Sequence, residues 1–516
     1  MRFFPDRPDF DAALTAGRPQ VVWAELVADL ETPVSAMLKI AGDGVNCFLL
    51  ESVEGGAVRG RYSFIGIDPD VVWRCFGNRA EINWSPSIDA DAYNPCPIGE
   101  RAGAIQSLRA LFRASRIDLP QQLPPMAAGL FGYLGYEVVR LIENLPTTKP
   151  DVLAVPDAMF LRPTVIAVFD NVEDKIIIVT PVWAEQATSA DAAFAKATGR
   201  LNAVAARLEG QVPGRRTIDL PATPTLSPQS NFARDDYYRA VAAAKELIFA
   251  GDIFQVVPSQ RFRMPVPGDA FAFYRALRRL NPSPFLFFLR FAGFCVVGSS
   301  PEIMVRVRAG KVTIRPIAGT RPRGLTPEED RRLAEDLIAD PKELAEHLML
   351  LDLGRNDVGR VAQLGTVRVT EKMIIERYSH VMHIVSNVEG DLDPRYDALD
   401  ALFAGFPAGT VSGAPKVRAM EVIDDLEPER RGIYGGCIGY LGANGELDTC
   451  IALRTAVIKD GVLYAQAGGG VVADSDPAFE YQECVNKARA LVRAAELAAG
   501  FATDSDQPAT TVAPRP

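Results

Sequence analysis

Histidine is scarce in this 516-residue chain: His347, His380 and His383 are the whole complement. With so few, no third ligand is spaced for a zinc site. There is no Gly-x-Ser-x-Gly elbow and no recognisable cysteine–histidine signature, so covalent hydrolase chemistry is not indicated. The seven cysteines are odd in number and form no Cys-x-x-Cys pair. Lying in apolar or strand-like runs, as at Cys437, Cys450 and Cys484, they read as reduced thiols rather than a disulfide framework. No run approaches the roughly 18 apolar residues of a membrane helix. The opening, MRFFPDRPDF, lacks the apolar centre of a signal peptide. Positive charge is also short, 55 Lys and Arg against 65 Asp and Glu, for a net charge of −10. That sign argues against a broad electrostatic grip on nucleic acid or anionic membrane. An anionic substrate must then be met by a local cluster of donors. The expectation is a cytoplasmic protein with neither nucleic acid nor membrane as partner.

What is present is material for large cores: 48 % of residues are apolar and 23 % charged, a soluble globular balance. The length favours two domains. Residues 1–225 form the first portion, 226–500 the second, and 501–516 a polar, proline-bearing tail expected to be disordered. Between the portions, Val212–Asn231 is proline- and Ser/Thr-rich, the strongest linker signal. In the first portion Val45–Glu51 and Tyr62–Ile67 read as strands around a Gly55-Gly56 turn. Ser85–Pro97 reads as a loop, and alanine-rich Ala187–Glu209 as a solvent-facing helix. In the second, Arg234–Ala250 reads as a helix closed by Gly251, and Pro341–Leu353 as one ended by Gly354. Asp476-Pro477 opens a helix running to about Ala499. Asn444-Gly445 predicts a type I′ hairpin turn, and Asp460-Gly461 joins the next pair of strands. Gly66–Val72 weakly echoes Gly298–Met304, a match short enough for chance to be the better explanation.

The chemistry-bearing residues group in three places. Glu343, Glu346 and His347 fall on one helix face at i, i+3 and i+4; Glu480, Glu483 and Lys487 share another at i, i+3 and i+7. Two such carboxylate pairs can hold a hard cation, and oxygen-only ligation suits Mg²⁺ better than Zn²⁺. Spacing alone favours the plainer reading, two solvated faces of ordinary ion pairs, since such pairs are common. Gly468-Gly469-Gly470 lies between a strand and a helix, where bare backbone N–H groups can meet an anion. It is neither a Walker loop nor a dinucleotide fingerprint, and a plain flexible loop fits as well. Arg454 reads as a strand residue between Ala452 and Ala456, with room to reach a carboxylate or to make a core salt bridge.

Five ordered strings give these groups a context: Gly251–Ser259 (GDIFQVVPS), Pro316–Arg323 (PIAGTRPR), Glu346–Asp357 (EHLMLLDLGRND), Phe406–Lys416 (FPAGTVSGAPK) and Glu483–Lys487 (ECVNK). Together they resemble the chorismate-utilising enzyme family over most of residues 230–495. The resemblance implies an α+β fold with two large antiparallel β-sheets enclosing helices. It also separates branches by nucleophile. Aminodeoxychorismate synthases typically carry a lysine nucleophile where this chain has Ala318. Isochorismate and salicylate synthases place a water-activating lysine where it has Gln255. What remains is the anthranilate-forming branch, in which ammonia attacks. The alternatives are another chorismate-utilising chemistry or a non-catalytic chorismate-binding scaffold.

By the same resemblance Glu346 and Glu483 bind Mg²⁺, with Glu343 and Glu480 as a supporting shell. Tyr434, Arg454, Gly468, Gly469 and Gly470 anchor the enolpyruvyl carboxylate. Lys487 belongs to the chorismate-binding set, and Gly319 and Thr320 line the ring side. His383 protonates the departing hydroxyl, a task for a group titrating near neutrality, and Thr410 sits by the reacting ring. Leu49–Ser52 and Asn281–Phe287 are similar to the family's tryptophan-binding strings. Glu51 would pair with the amino group, Ser52 hydrogen-bond, and Pro284, Phe285 and Leu286 pack on the indole. A buried strand end would read the same way. The chain shows no glutamine-amidotransferase motif, so a separate glutamine amidotransferase subunit is the implied ammonia source.

Overall fold

Alternating apolar residues build the strands, and the computed structural model shows what they bury. It describes residues 1–54, 58–146, 149–187, 189–212, 225–266, 268–378 and 381–499. The Gly55-Gly56 turn, residues 213–224 of the linker, His380 and the 501–516 tail lie outside these.

In the first portion, strand β1 (Cys47–Glu54) runs antiparallel to the long β2 (Val58–Phe76), which pairs onward with β3 (Ala158–Asp170). Helix α1 (Ala190–Glu209) closes it. The second portion opens with strand β4 (Ser259–Pro265), helix α2 (Ala270–Leu280), and strands β5 (Phe285–Phe291), β6 (Phe294–Ser300) and β7 (Ile317–Pro322). Helix α3 (Pro341–Gly359) follows, then strands β8 (Arg368–Arg377) and β9 (Val381–Asp391). Strands β10 (Cys437–Gly442), β11 (Leu447–Ile451), β12 (Thr455–Lys459) and β13 (Val462–Gly468) lead to the last helix, α4 (Pro477–Ala498).

The architecture is α+β, with large antiparallel sheet. Its two portions share backbone hydrogen bonds: β1 pairs with β5, and β10 pairs with the strand Gly129–Leu134. One apolar cluster draws mainly on strand residues, among them Phe48, Phe64, Phe131, Phe287 and Tyr440. Two others press helices against the opposite strand faces. Each fully buried aromatic contributes about 1.5–3 kcal/mol by leaving water, so this shared interior binds the portions together.

Several local expectations change once packing is visible. Helix α1 is not simply solvent-facing, because Ala193, Ala197, Leu201, Val204 and Leu208 form a buried stripe. Helix α3 runs through Gly354 to Gly359; Gly354 packs near Ile314, Pro316 and Val388 in mid-helix, and those contacts outweigh its weak helix preference. The Asn444-Gly445 turn is not type I′, which needs positive φ at both residues, and only Gly445 has it, at 90°. Gly445 N–H bonds Gly442 O, and Gly442 N–H bonds Glu446 O, both at 2.8 Å, the pattern of a turn closed by a glycine bulge. Asp460 and Gly461 do have positive φ, 51° and 74°. The echo between Gly66 and Gly298 is a shared geometry rather than chance. Each glycine faces a phenylalanine across an antiparallel pair, Phe48 and Phe287, and a Cβ at either would strike that ring at 2.2–2.3 Å.

Candidate active site

The carboxylates of α3 and α4 converge on the glycine turn that follows β13. A Cβ on Gly469 would lie 2.9 Å from Glu480 Oε2 and 3.1 Å from Glu483 Oε2. One on Gly470 would lie 2.6 Å from Gln255 Nε2 and 3.8 Å from Glu346 Oε1. The run is glycine because any side chain would collide with the groups it gathers. Gln255 donates to Glu346 Oε1 at 2.9 Å. Lys487 pairs with Glu483 at 3.0 Å and donates to Gly468 O at 2.9 Å. On the other wall Gly319, at φ 73°, sits at a register shift in the β7–β9 ladder. That irregularity brings it 3.1 Å (from a built Cβ) to Glu343 Oε2. Arg321 reaches Glu343 at 3.3 Å. His347 leaves this group: its Nε2 lies 2.7 Å from Ser386 Oγ, inside the core.

This carboxylate group has the electrostatics of a cation site. Burial, reinforced by the neighbouring Glu483 charge, pushes Glu480 up to about 7 against the pull of a hydrogen bond from Ser475. Glu343 is raised by burial and then by the Glu346 charge. Glu480 Oε2 is buried with no hydrogen-bond partner, a state that costs roughly 1–3 kcal/mol unless something binds it. Among the described residues no three acidic, histidine or cysteine side chains close around one point. What the geometry offers is carboxylates of two helices facing one glycine turn, a donor set whose oxygen-only chemistry is of the kind a hard ion such as Mg²⁺ takes when water and substrate complete its shell.

Across the site, β9 presents His383 opposite Thr320 of β7. Its Nδ1 lies 2.9 Å from Gly319 O and 3.1 Å from Thr320 Oγ1. Burial drives His383 down to about 4; Arg454 and Lys487 lower it further, and the Gly319 carbonyl pulls it back. Burial thus favours the neutral imidazole in the free protein, which runs against the near-neutral acid expected of it. Nδ1–H is committed to a carbonyl, so His383 can accept a proton but has none to give.

The group that holds a proton is one the strings did not single out. Glu302, between β6 and the next strand, is buried and pushed up to about 8 by desolvation, with hydrogen bonds from Thr410 and Ile317 opposing. Thr410 Oγ1 donates to both of its oxygens, at 3.1 and 3.2 Å. The only sequence signal was its place in the Gly298–Met304 echo.

Arg454 is not on a strand. It occupies the break between β11 and β12 with φ 48°, which tucks its side chain inward. Burial lowers its pKa, and among the described residues it has no ion pair. A desolvated guanidinium without a counterion is a strong pull on a carboxylate. Tyr434 is buried, and its hydroxyl would lie 2.9 Å from a Cβ at Gly468.

A second cavity, of about 820 Å³, opens where β1, β5, β10 and β11 meet. Ser52, Pro284, Phe285 and Leu286 line it together with Tyr440, Asp448 and Cys450. The β1–β5 register sets Ser52 opposite Phe285 and Glu51 opposite Leu286. Ser52 Oγ donates to Tyr62 O at 3.2 Å, leaving its lone pairs for a ligand. Glu51 does not offer a free carboxylate. It lines the cavity as well, but its carboxylate is held from α2, where Arg278 binds both oxygens, at 2.6 and 2.9 Å, and Tyr274 donates a further hydrogen bond. The lining acceptor left without a partner is Asp448 Oδ1, whose other oxygen takes Arg306 and Arg308.

The chain is similar to anthranilate synthase component 1 of Cereibacter sphaeroides, 58 % identical over 96 % of this chain and 98 % of that protein. It is 48 % identical to the protein of the same name from Pseudomonas aeruginosa, over 92 % of this chain and 95 % of that one. The crystal structure of anthranilate synthase component I from Streptococcus pneumoniae superposes with a TM-score of 0.75 at 36 % identity, covering 90 % of this chain and 99 % of that one. The menaquinone-specific isochorismate synthase of Escherichia coli shares the fold, with a TM-score of 0.68 at 19 % identity over 95 % of this chain and 98 % of that one. A profile for chorismate binding enzymes matches residues 57–493, and the chain belongs to that family.

Proposed function

We propose that this chain is the chorismate-converting large subunit of an anthranilate synthase. It forms anthranilate, pyruvate and water from chorismate and ammonia, and a partner glutamine amidotransferase subunit supplies the ammonia. The observation that carries the reading is the pairing of a largely desolvated Arg454, with no ion pair among the described residues, with the carboxylates gathered at the glycine turn. Chorismate carries two carboxylates, so one meets Arg454, with Tyr434 and the glycine-turn amides beside it. Glu346 and Glu483, supported by Glu343 and Glu480, would hold Mg²⁺, which when bound draws electron density toward the ring carboxylate. Glu302 replaces His383 as the proton donor: its carboxyl, set by Thr410, protonates the ring hydroxyl as it leaves as water. Ammonia forms the new C–N bond at the carbon next to the ring carboxylate. Loss of that carbon's proton then sends electrons into the ring and expels the enolpyruvyl group as pyruvate. Neutral His383 is the nearby group able to accept a proton.

Chorismate, Mg²⁺ and ammonium at mildly alkaline pH test this, with anthranilate fluorescence as the readout. A hydroxylated product formed without amine would mean isochorismate-type chemistry. Binding without turnover would mean a degenerate scaffold. The purified chain is expected to use ammonium but not glutamine, because it carries no amidotransferase machinery. Glutamine-dependent turnover by the chain alone overturns that expectation.

The second cavity is read as a tryptophan site for feedback inhibition, with Asp448 rather than Glu51 as acceptor for the amino group. A ligand there inhibits only if it prefers a conformation poor at catalysis. Ser52→Ala removes one hydrogen bond to a charged ligand, worth about 1.5–3 kcal/mol, so about tenfold to a hundredfold more tryptophan should be needed. Turnover should stay near the parent's. Indifference of the parent to millimolar tryptophan, or loss of turnover and inhibition together in the variant, defeats this assignment.

A further inference from the structure

Arg431 touches none of the residues expected to meet chorismate through its guanidinium hydrogen bonds, yet three walls of the site hang on it. The side chain is 2 % exposed and every branch of the guanidinium is used. Nε lies 3.0 and 3.1 Å from the two Glu427 oxygens. Nη1 donates to Val411 O at 2.6 Å; Nη2 donates to Val257 O and to Glu427 Oε1, each at 2.6 Å. Its plane also lies against Tyr434 and Tyr136, at 5.6 and 4.8 Å from the ring centres.

Each contact leads to a site residue. Val411 follows Thr410, the donor to Glu302. Val257 is two residues beyond Gln255, which contacts Glu346. Glu427 Oε1 accepts from Ser259 N–H at 2.7 Å and Ser259 Oγ at 2.8 Å. Ser259 stands opposite Gly468 in the β4–β13 ladder. Gln466 Nε2 bonds the same Ser259 hydroxyl at 2.7 Å.

We propose that the buried Arg431–Glu427 pair is a positioning device that fixes the Thr410, Gln255 and Gly468 segments relative to one another, with Tyr434 stacked on it. Only a guanidinium does this, because its rigid fork reaches a carboxylate and two carbonyls in set directions. A lysine supplies the charge from a single point. The pair is neutral as a unit and fully hydrogen-bonded, the condition under which a buried ion pair is tolerated. The carboxylates of α3 and α4 stand on other elements and meet the device only at second hand, through Gln255 and Lys487, so Mg²⁺ binding should suffer far less than turnover.

The test rests on the proposed reaction and uses the full chain with its partner subunit. Arg431→Lys is expected to keep the parent's melting temperature within a few degrees and its half-saturating Mg²⁺ within about threefold, while kcat falls about 100-fold, the scale of an ångström misplacement. In Arg431→Ala, millimolar guanidinium should restore part of kcat and equal urea should not. Parent values of kcat and KM in a folded Arg431→Lys overturn the proposal. So does activity that falls only in step with the folded fraction, which is a plain stability role. If the parent itself makes no anthranilate, the functional reading fails instead, and that control separates the two.

Discussion

Glu346→Gln or Glu483→Gln is expected to reduce anthranilate formation by about a thousandfold or more at saturating Mg²⁺, because each removes a charged oxygen ligand from a hard cation. Like charges and burial raise Glu480 to about 7 and raise Glu343, so without a cation the group opposes folding. Neutralising one member relieves repulsion. The melting temperature of either variant without Mg²⁺ should therefore equal or exceed the parent's. The stabilisation that Mg²⁺ gives the parent should be lost, since a ligand stabilises only what it binds. Glu480→Gln and Glu343→Gln, in the supporting positions, should weaken metal affinity about 10–100-fold and leave turnover recoverable at high Mg²⁺. Near-parent turnover by Glu346→Gln and Glu483→Gln would return both helices to ordinary solvated faces.

Glu302→Gln should lower kcat by about 100- to 10,000-fold, the range general acid catalysis supplies. The amide keeps the shape and the hydrogen bond from Thr410 but has no acidic proton. The pH dependence follows from the sign of the shift. Burial pushes Glu302 up to about 8 in the free protein, so the parent's kcat/KM for chorismate, at saturating ammonia, should fall as pH rises through that value. The residual activity of Glu302→Gln should lack this alkaline limb. The same shift predicts the effect on folding. A carboxyl raised in the folded state contributes most at pH below its unfolded value and loses that contribution as pH rises through about 8. The uncharged glutamine should thus match the parent's stability in acid, below the ordinary value of 4.5, and increasingly exceed it as pH rises to about 8, which separates lost chemistry from lost fold. A Glu302→Gln enzyme with parent kcat and an intact alkaline limb would return the acid role to His383. In that case bound chorismate would have to raise the imidazole pKa.

Much of this was legible in the sequence because helical geometry is local. Glu343 with Glu346 and Glu480 with Glu483 must share a face wherever their helices go, and Asp476-Pro477 announces the second helix in two residues. The five ordered strings carried the family, and within it Ala318 and Gln255 separated the nucleophiles. Strand propensity and turn glycines marked most of the ladders, and Asp460-Gly461 turned as its residues require.

What the sequence by itself determined is the set of chemical groups and their local spacing; only the tertiary structure decided which of them are charged and which are free. Protonation depends on burial and on neighbours distant in the chain. Burial beside Arg454 and Lys487 lowers His383, and burial raises Glu302. Availability depends on the register of long-range pairing. Glu51 and Ser52 both line the cavity, but the Glu51 carboxylate is taken by Arg278, 227 residues away. Arg454 reaches inward through a break that no strand pattern announced, and Arg431 became visible only when Val257, Val411 and Glu427 met around it. Local periodicity places a side chain on an element; the dielectric and the partners around it are set by how the elements pack.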